Sequence, residues 1–237
     1  MAAPRFLLHT LPAAGETAWL DRDEARHAVG SRRLGEGDVV ELVDGRGGVA
    51  TARLGRERDR DGNLGAVVQR VERVVRPTPM LHVGTAVPKG DRLSTLLDAV
   101  GELAVQSLTP LACERSVTPP DKLAGDRTTR ILTEAMKQSR GAWLTDVHAP
   151  MSPLDFARAC MQAGHRTLLL DASGAPLATL AVGQASIAFI VGPEGGFSDA
   201  EREQLIAAGA TPASLGATVL RVELAVAVAC GAVRALA

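Results

Sequence analysis

The 237-residue chain carries 26 basic and 27 acidic residues for a net charge of −1, with 46% apolar residues, enough for one large core or two modest ones. The near-neutral balance excludes a chain that clings to nucleic acid through bulk charge, so any such binding must come from a local patch. No run approaches the roughly 18 apolar residues of a membrane helix, and the start, Met1-Ala-Ala-Pro-Arg-Phe6, lacks the charged-then-apolar layout of a secretory leader, so a cytoplasmic location is expected.

In chain order, residues 6–8, 39–43, 49–54 and 66–71 are short strand-like runs, and the turns between them are Asp44-Gly45 and Asp61-Gly62-Asn63. This pattern predicts a small β-barrel, interrupted by one helix over residues 21–29 with Asp21 available as its N-cap. The run Arg56-Glu57-Arg58-Asp59-Arg60-Asp61 alternates in sign and ends in a turn, as a solvated hairpin tip does. Two prolines in Arg76-Pro77-Thr78-Pro79 then force an extended segment, which places a domain boundary there: residues 1–77 form one domain and 78–237 the other.

Beyond the boundary, apolar strands at 81–87, 107–111, 147, 167–170, 187–191 and 213–215 alternate with helices at 91–104, 126–139, 154–163, 199–208 and 222–236. Fully apolar strands alternating with helices predict an α/β domain whose parallel sheet is covered on both faces. Cys113, Cys160 and Cys230 are scattered, with no C-x-x-C pair and no histidine at ligand spacing, so reduced, mostly buried thiols and no metal site are expected. Arginine supplies all but three of the basic residues. That preference suits bidentate contacts with phosphates and bases, and it suits a composition bias equally well.

Two segments carry the chemistry. The strand Ile187-Ala-Phe-Ile-Val191 ends in Gly192-Pro193-Glu194-Gly195-Gly196-Phe197-Ser198, and Ser198 with Glu201 forms a capping box that starts the next helix. In an open α/β sheet this carboxyl end of a strand is where ligands bind. Neither G-x-G-x-x-G nor a G-x-x-x-x-G-K-[ST] loop occurs, so pyrophosphate is not the expected ligand. Glycines let a ligand approach the backbone closely, Pro193 stiffens the turn and Glu194 puts a carboxylate at its tip. On local grounds an ordinary strand-to-helix loop fits equally well. The second segment, Leu215-Gly216-Ala217-Thr218-Val219-Leu220-Arg221-Val222-Glu223, leads into an Ala/Val helix and taken alone reads as a buried helix start.

Together, Gly192-Pro-Glu-Gly-Gly-Phe-Ser198 and Leu215-Gly-x-x-x-Leu-Arg221 resemble the paired signature of the 16S ribosomal RNA uridine-N3 methyltransferases (ribosomal RNA small subunit methyltransferase E) of the SPOUT superfamily. His27-x5-Arg33-x3-Gly37-Asp38 with Asp44-Gly45 resembles the family's N-terminal domain. Pro88-Lys89-Gly90-Asp91-Arg92, Cys113-Glu114-Arg115-Ser116 and Glu134-x3-Gln138-Ser139 resemble its middle. The resemblance implies a PUA-like RNA-binding β-barrel, a trefoil-knotted SPOUT methyltransferase domain, a homodimer, and S-adenosyl-L-methionine as cofactor acting on 16S ribosomal RNA or the 30S subunit.

It further implies that three loops hold the cofactor: Leu169, Leu170 and Asp171; then Val191, Gly192, Pro193, Glu194, Gly195, Gly196 and Phe197; then Leu215, Gly216, Val219, Leu220, Arg221 and Ala225. On this reading Glu194, Arg221 and Glu223 serve the reacting centre, Gly195→Val fills the ligand's space, and Arg5, Arg32, Arg33, Lys89, Arg92, Arg115, Gln138 and Arg140 grip RNA. The chain departs from the family pattern at Val222 and Leu224, where hydroxyl residues are usual, and at Gly141 and Trp143, near which a basic residue is usual. Those departures leave open a SPOUT enzyme for another RNA position or the ribose 2′-OH, or an RNA-binding assembly protein with impaired catalysis.

Overall fold

Period-two alternation of small apolar and polar residues drives the N-terminal strands into one sheet. In the computed structural model, which describes residues 3–236, these are β1 (Arg5–Leu7), β2 (Thr17–Leu20), β3 (Val39–Val43), β4 (Gly48–Arg58) and β5 (Leu64–Arg73), in the order β1-β3-β4-β5-β2. β1 runs parallel to β3 and every other neighbour is antiparallel. Phe6, Leu20, Val40, Leu42, Leu54, Leu64 and Val68 form its core with a lining of alanines. Met1 and Ala2, part of the segment read against a secretory leader, lie outside the described residues.

The Asp21 carboxylate caps α1 (Arg22–Arg26) by accepting from the Asp23 and Glu24 amides. The single helix expected over 21–29 is shorter: it widens into a π-helical turn, His27–Ser31, as the sequence passes through Val29, Gly30 and Ser31, weak helix formers. The strands β4 and β5 run further than their apolar stretches, because cross-strand pairing satisfies the backbone of charged residues at the solvated end.

The compact unit built on this sheet runs to Arg76 and also contains Met136–Leu144, whereas the sequence divides the chain only once. Met136 and Ala142 share a buried cluster with Val43 and Val49, and Trp143 lies over Gly47, where a Cβ would come within 2.4 Å of the indole. The indole Nε1 donates to the Val74 carbonyl at 3.1 Å, and the Arg76 guanidinium stacks 4.2 Å from the ring centroid. Trp143, where the family carries a basic residue nearby, is thus a packing residue here.

The second unit holds β6 (Met80–Thr85), β7 (Ser107–Pro110), β8 (Asp146–Val147), β9 (Arg166–Pro176), β10 (Ser186–Val191) and β11 (Thr211–Ser214), all parallel, in the order β11-β9-β10-β6-β7-β8. Its helices are α2 (Arg92–Glu102), α3 (Asp126–Gln138) up to Ala135, α4 (Pro153–Gln162), α5 (Leu177–Ala181), α6 (Asp199–Ala207) and α7 (Val222–Ala235). The sequence did not reveal α5, which at five residues is too short to show a period. It also ended β9 at Leu170, where polar residues begin. In the structure the strand runs on to Pro176 and its pairing with β11 resumes there, with Ala175 opposite Ala213 after a register shift at Pro212/Ala213. Gly174 permits this, since a Cβ there would lie 2.4 Å from the backbone of 212–213. Arg234 on α7 donates to the carbonyls of Pro79, Leu103 and Ala104, fastening α7 to the start of β6 and the end of α2. Among the described residues no helix is long and apolar enough to cross a membrane.

Candidate functional site

The unpaired middle of β9, between its two stretches of pairing with β11, and the loops at the carboxyl ends of β10 and β11 enclose a cleft of about 300 Å³. Leu170, Val191, Pro193, Leu215, Val219, Leu220 and Val222 make its walls largely apolar, and Asp171, Glu194, Arg202 and Thr218 add polar groups.

The glycine turn between β10 and α6 is braced from both sides. Phe197 folds back over Gly192, where a Cβ would lie 2.9 Å from the ring, and the Gly196 amide donates to the Pro193 carbonyl at 2.8 Å. Ser198 and Glu201 complete the capping box of α6, and Glu201 Oε1 also accepts from the Glu114 amide at 2.9 Å. Arg115 Nη1 donates to the carbonyls of Gly195 (3.1 Å) and Phe197 (3.2 Å). A turn anchored at so many points is preformed for a ligand, which lowers the ordering cost of binding.

The two carboxylates of the cleft are held differently. Asp171 lies 2.6 Å from Arg202 Nε, and its Oδ1 accepts from the Ser173 hydroxyl and amide. Burial opposes its charge, but the hydrogen bonds from Ser173 and Arg202, with the charge of Arg202, outweigh it and hold the carboxyl down to about 2. Among the described residues Glu194 has one partner, Arg92 Nη1 at 3.3 Å, and both side chains of that pair are 41% exposed.

Most of the expected cofactor residues converge on the cleft: Leu170, Asp171, Val191, Gly192, Pro193, Glu194, Gly196, Phe197, Leu215, Gly216, Val219, Leu220 and Ala225 all line it. Three do not. Leu169 points into the core with Leu205 and Ile190, because successive strand residues face opposite sides. Gly195 faces Arg115, at ordinary contact distance for a Cβ, so Gly195→Val is not the substitution that fills the cleft. Arg221 is exposed at the N-cap position of α7, outside the lining. Of the expected catalytic groups only Glu194 faces the cleft. Glu223 is buried in the first turn of α7, and among the described residues its Oε2 has no hydrogen-bond partner. Ala172, Arg202, Ala213, Thr218 and Val222 line the cleft unforeseen, Arg202 through a pairing across 31 residues that no local pattern reveals.

S-adenosyl-L-methionine, which the sequence resemblance implies, fits these residues. A Cβ at Gly196 or Gly216 would meet no protein atom within 4 Å although both line the cleft, so open space lies against bare backbone between apolar walls. Among the described residues no group of three or more His, Cys, Asp or Glu could hold a metal ion.

The residues expected to grip RNA divide. Arg5, with 9% of its side chain exposed, pairs with Glu41 at 2.6 Å and donates to the Gly141 carbonyl. Arg140 takes the other Glu41 oxygen at 2.6 Å and the Ala3 carbonyl. Both therefore hold the first unit together, Arg5 buried and Arg140 with 40% of its side chain exposed, and Arg115 is the latch on the glycine turn. Arg32, Arg33, Lys89 and Gln138 are exposed, and Arg92 is half-buried beside Glu194.

A family model described as an RNA methyltransferase domain matches residues 76–234, and one described as an RNA methyltransferase PUA domain matches residues 20–61. The chain is 34% identical over 245 aligned positions to ribosomal RNA small subunit methyltransferase E of Mycobacterium bovis, covering 100% of this chain and 93% of that protein. The protein of the same name from Bacillus subtilis is 27% identical, over 86% of this chain and 84% of its own. The crystal structure of a ribosomal RNA small subunit methyltransferase E from Neisseria gonorrhoeae bound to S-adenosyl methionine superposes with a TM-score of 0.88 at 26% identity, covering 99% of this chain and 98% of that one.

Proposed function

The chain belongs to the ribosomal RNA small subunit methyltransferase E family of the SPOUT superfamily, and from that premise we propose that it transfers a methyl group from S-adenosyl-L-methionine to N3 of a uridine in 16S ribosomal RNA. The observation that carries this reading is the convergence of the middle of β9 and the loops after β10 and β11 on one cleft with bare glycine backbone between apolar walls.

The cofactor supplies a methyl group on a sulfonium centre, open to in-line attack. Leu170, Val191, Leu215 and Leu220 hold it and keep water out, so positioning supplies most of the rate. N3 of uracil is a weakly acidic imino nitrogen that must lose its proton, and Glu194 takes it as the catalytic carboxylate facing the cleft. Arg221, one residue before the Val222 wall, steadies the uracil anion. Glu223 fixes the loop end, buried where the helix dipole of α7 favours a carboxylate. Because N3 lies on the pairing edge, the base must enter unpaired or flipped.

Residues 78–237 are assigned the methyl transfer and 1–77 the RNA grip, with Arg32, Arg33 and Gln138 on one unit and Lys89 and Arg92 on the other as contacts. A trefoil-knotted path and a cytoplasmic homodimer complete the proposal. The exposed Leu224 and Val228, one helical turn apart on α7, support the dimer. The test is transfer of labelled methyl from the cofactor to 30S subunits and to naked 16S RNA, with the product base identified by mass spectrometry. Label in neither RNA ends the enzyme reading, and label on a ribose or another base ends the uridine-N3 assignment.

A further inference from the structure

Resting on the reading of Glu194 as proton acceptor, we propose that Arg92 is a positioning residue exchanged between Glu194 and RNA. Before RNA binds, Arg92 pairs with Glu194; a backbone phosphate then takes the guanidinium and frees the carboxylate for the N3 proton.

The contrast between the two acid–arginine pairs of the cleft carries this. The Arg202–Asp171 contact is 2.6 Å with Asp171 21% exposed, and the Ser173 hydroxyl and amide hold the same carboxylate, so it is a fixed part of the wall. The Arg92–Glu194 contact is 3.3 Å, both partners are 41% exposed, and among the described residues neither has another hydrogen-bond partner. An exposed pair of that kind is weak, whereas a guanidinium matches a phosphate in shape and charge. Arg115 cannot substitute, since it is tied to the carbonyls of the glycine turn. Arg92 opens α2 just after the exposed Lys89, so a phosphate reaching it meets a second cation from the same loop.

In the step that follows, the N3–H proton passes to the freed Glu194 carboxylate. The N–H bonding pair becomes the new N–C bond, and the pair of the broken S–C bond stays with the donor sulfur. A carboxylate still bound to Arg92 offers one oxygen fewer and a neutralised charge, so RNA docking and proton removal are coupled.

The experiment is a double-mutant cycle on RNA affinity, read by anisotropy of a labelled small-subunit ribosomal RNA transcript at fixed salt without cofactor. Glu194→Gln binds the transcript about two- to fivefold tighter than wild type, the range set by the strength of an exposed ion pair. In an Arg92→Gln background the same change gives no gain. Equal tightening in both backgrounds means simple charge repulsion and overturns the proposal, as does unchanged or weaker binding by Glu194→Gln. Under turnover, Arg92→Gln raises KM for RNA by a larger factor than it lowers kcat; the reverse split also overturns it. The binding cycle needs no turnover, so it remains readable if wild type transfers no methyl group and the reading beneath it fails.

Discussion

Gly196 offers the sharpest check on the cleft, because the structure supplies its own control. Gly196 has φ 68° and Gly183 has φ 73°, and a Cβ at either would meet nothing within 4 Å. Gly196 lines the cleft, whereas Gly183 lies in the turn before β10, at the opposite end of that strand. Valine at either position must hold a β-branched residue in the left-handed region, at about 1–3 kcal/mol. For a chain of this size that lowers Tm by about 2–4 °C per kcal/mol, and by a similar amount in both variants. Gly196→Val alone also pushes a branched side chain into the ligand's space. If crowding there costs what overpacking costs in a core, about 1–3 kcal/mol, affinity for S-adenosyl-L-methionine falls by about 5- to 150-fold. Titration calorimetry with the cofactor, alongside thermal melts of both variants, reads the two effects separately. Equal affinity of Gly196→Val and Gly183→Val would refute the placement of the methyl donor against this turn.

Three further outcomes follow from side chains outside the cleft. His165 stacks on His82 with ring centroids 4.1 Å apart, and burial lowers its pKa from 6.5, so the folded state favours the neutral ring. That contribution to stability is complete above pH 6.5 and is lost as pH falls below it toward the folded value, so Tm declines over that window in wild type and less steeply in His165→Gln. Arg234→Ala leaves the carbonyls of Pro79, Leu103 and Ala104 without their donor and is expected to cost about 3 kcal/mol in chemical denaturation; a loss below about 0.5 kcal/mol, the size of an ordinary surface change, contradicts the clamp. Burial pushes the thiols up, Cys113 to about 12 with Glu201 adding to the effect, Cys160 to about 11 and Cys230 to about 12. Iodoacetamide at pH 8 should therefore label the folded chain far more slowly than the urea-unfolded chain, as mass spectrometry can show.

Local chemistry settled much of this protein before any tertiary contact was known. Apolar strands alternating with helices specify a parallel sheet, the pair Ser198 and Glu201 starts α6, and the glycines before it mark the strand end where a ligand fits. Each is written within a few residues, where backbone preference and hydrogen bonding act at short range. Tertiary structure alone decided which charges remain free. Arg5 and Arg140 look like surface cations until Glu41, 36 and 99 residues away, accepts both. Arg202 looks like an exposed helix residue until Asp171 draws it to the cleft wall, and β9 continues through its polar segment to Pro176, where β11 lies beside it. A charge takes its role from the partner that folding brings to it, and nothing in the neighbouring residues names that partner.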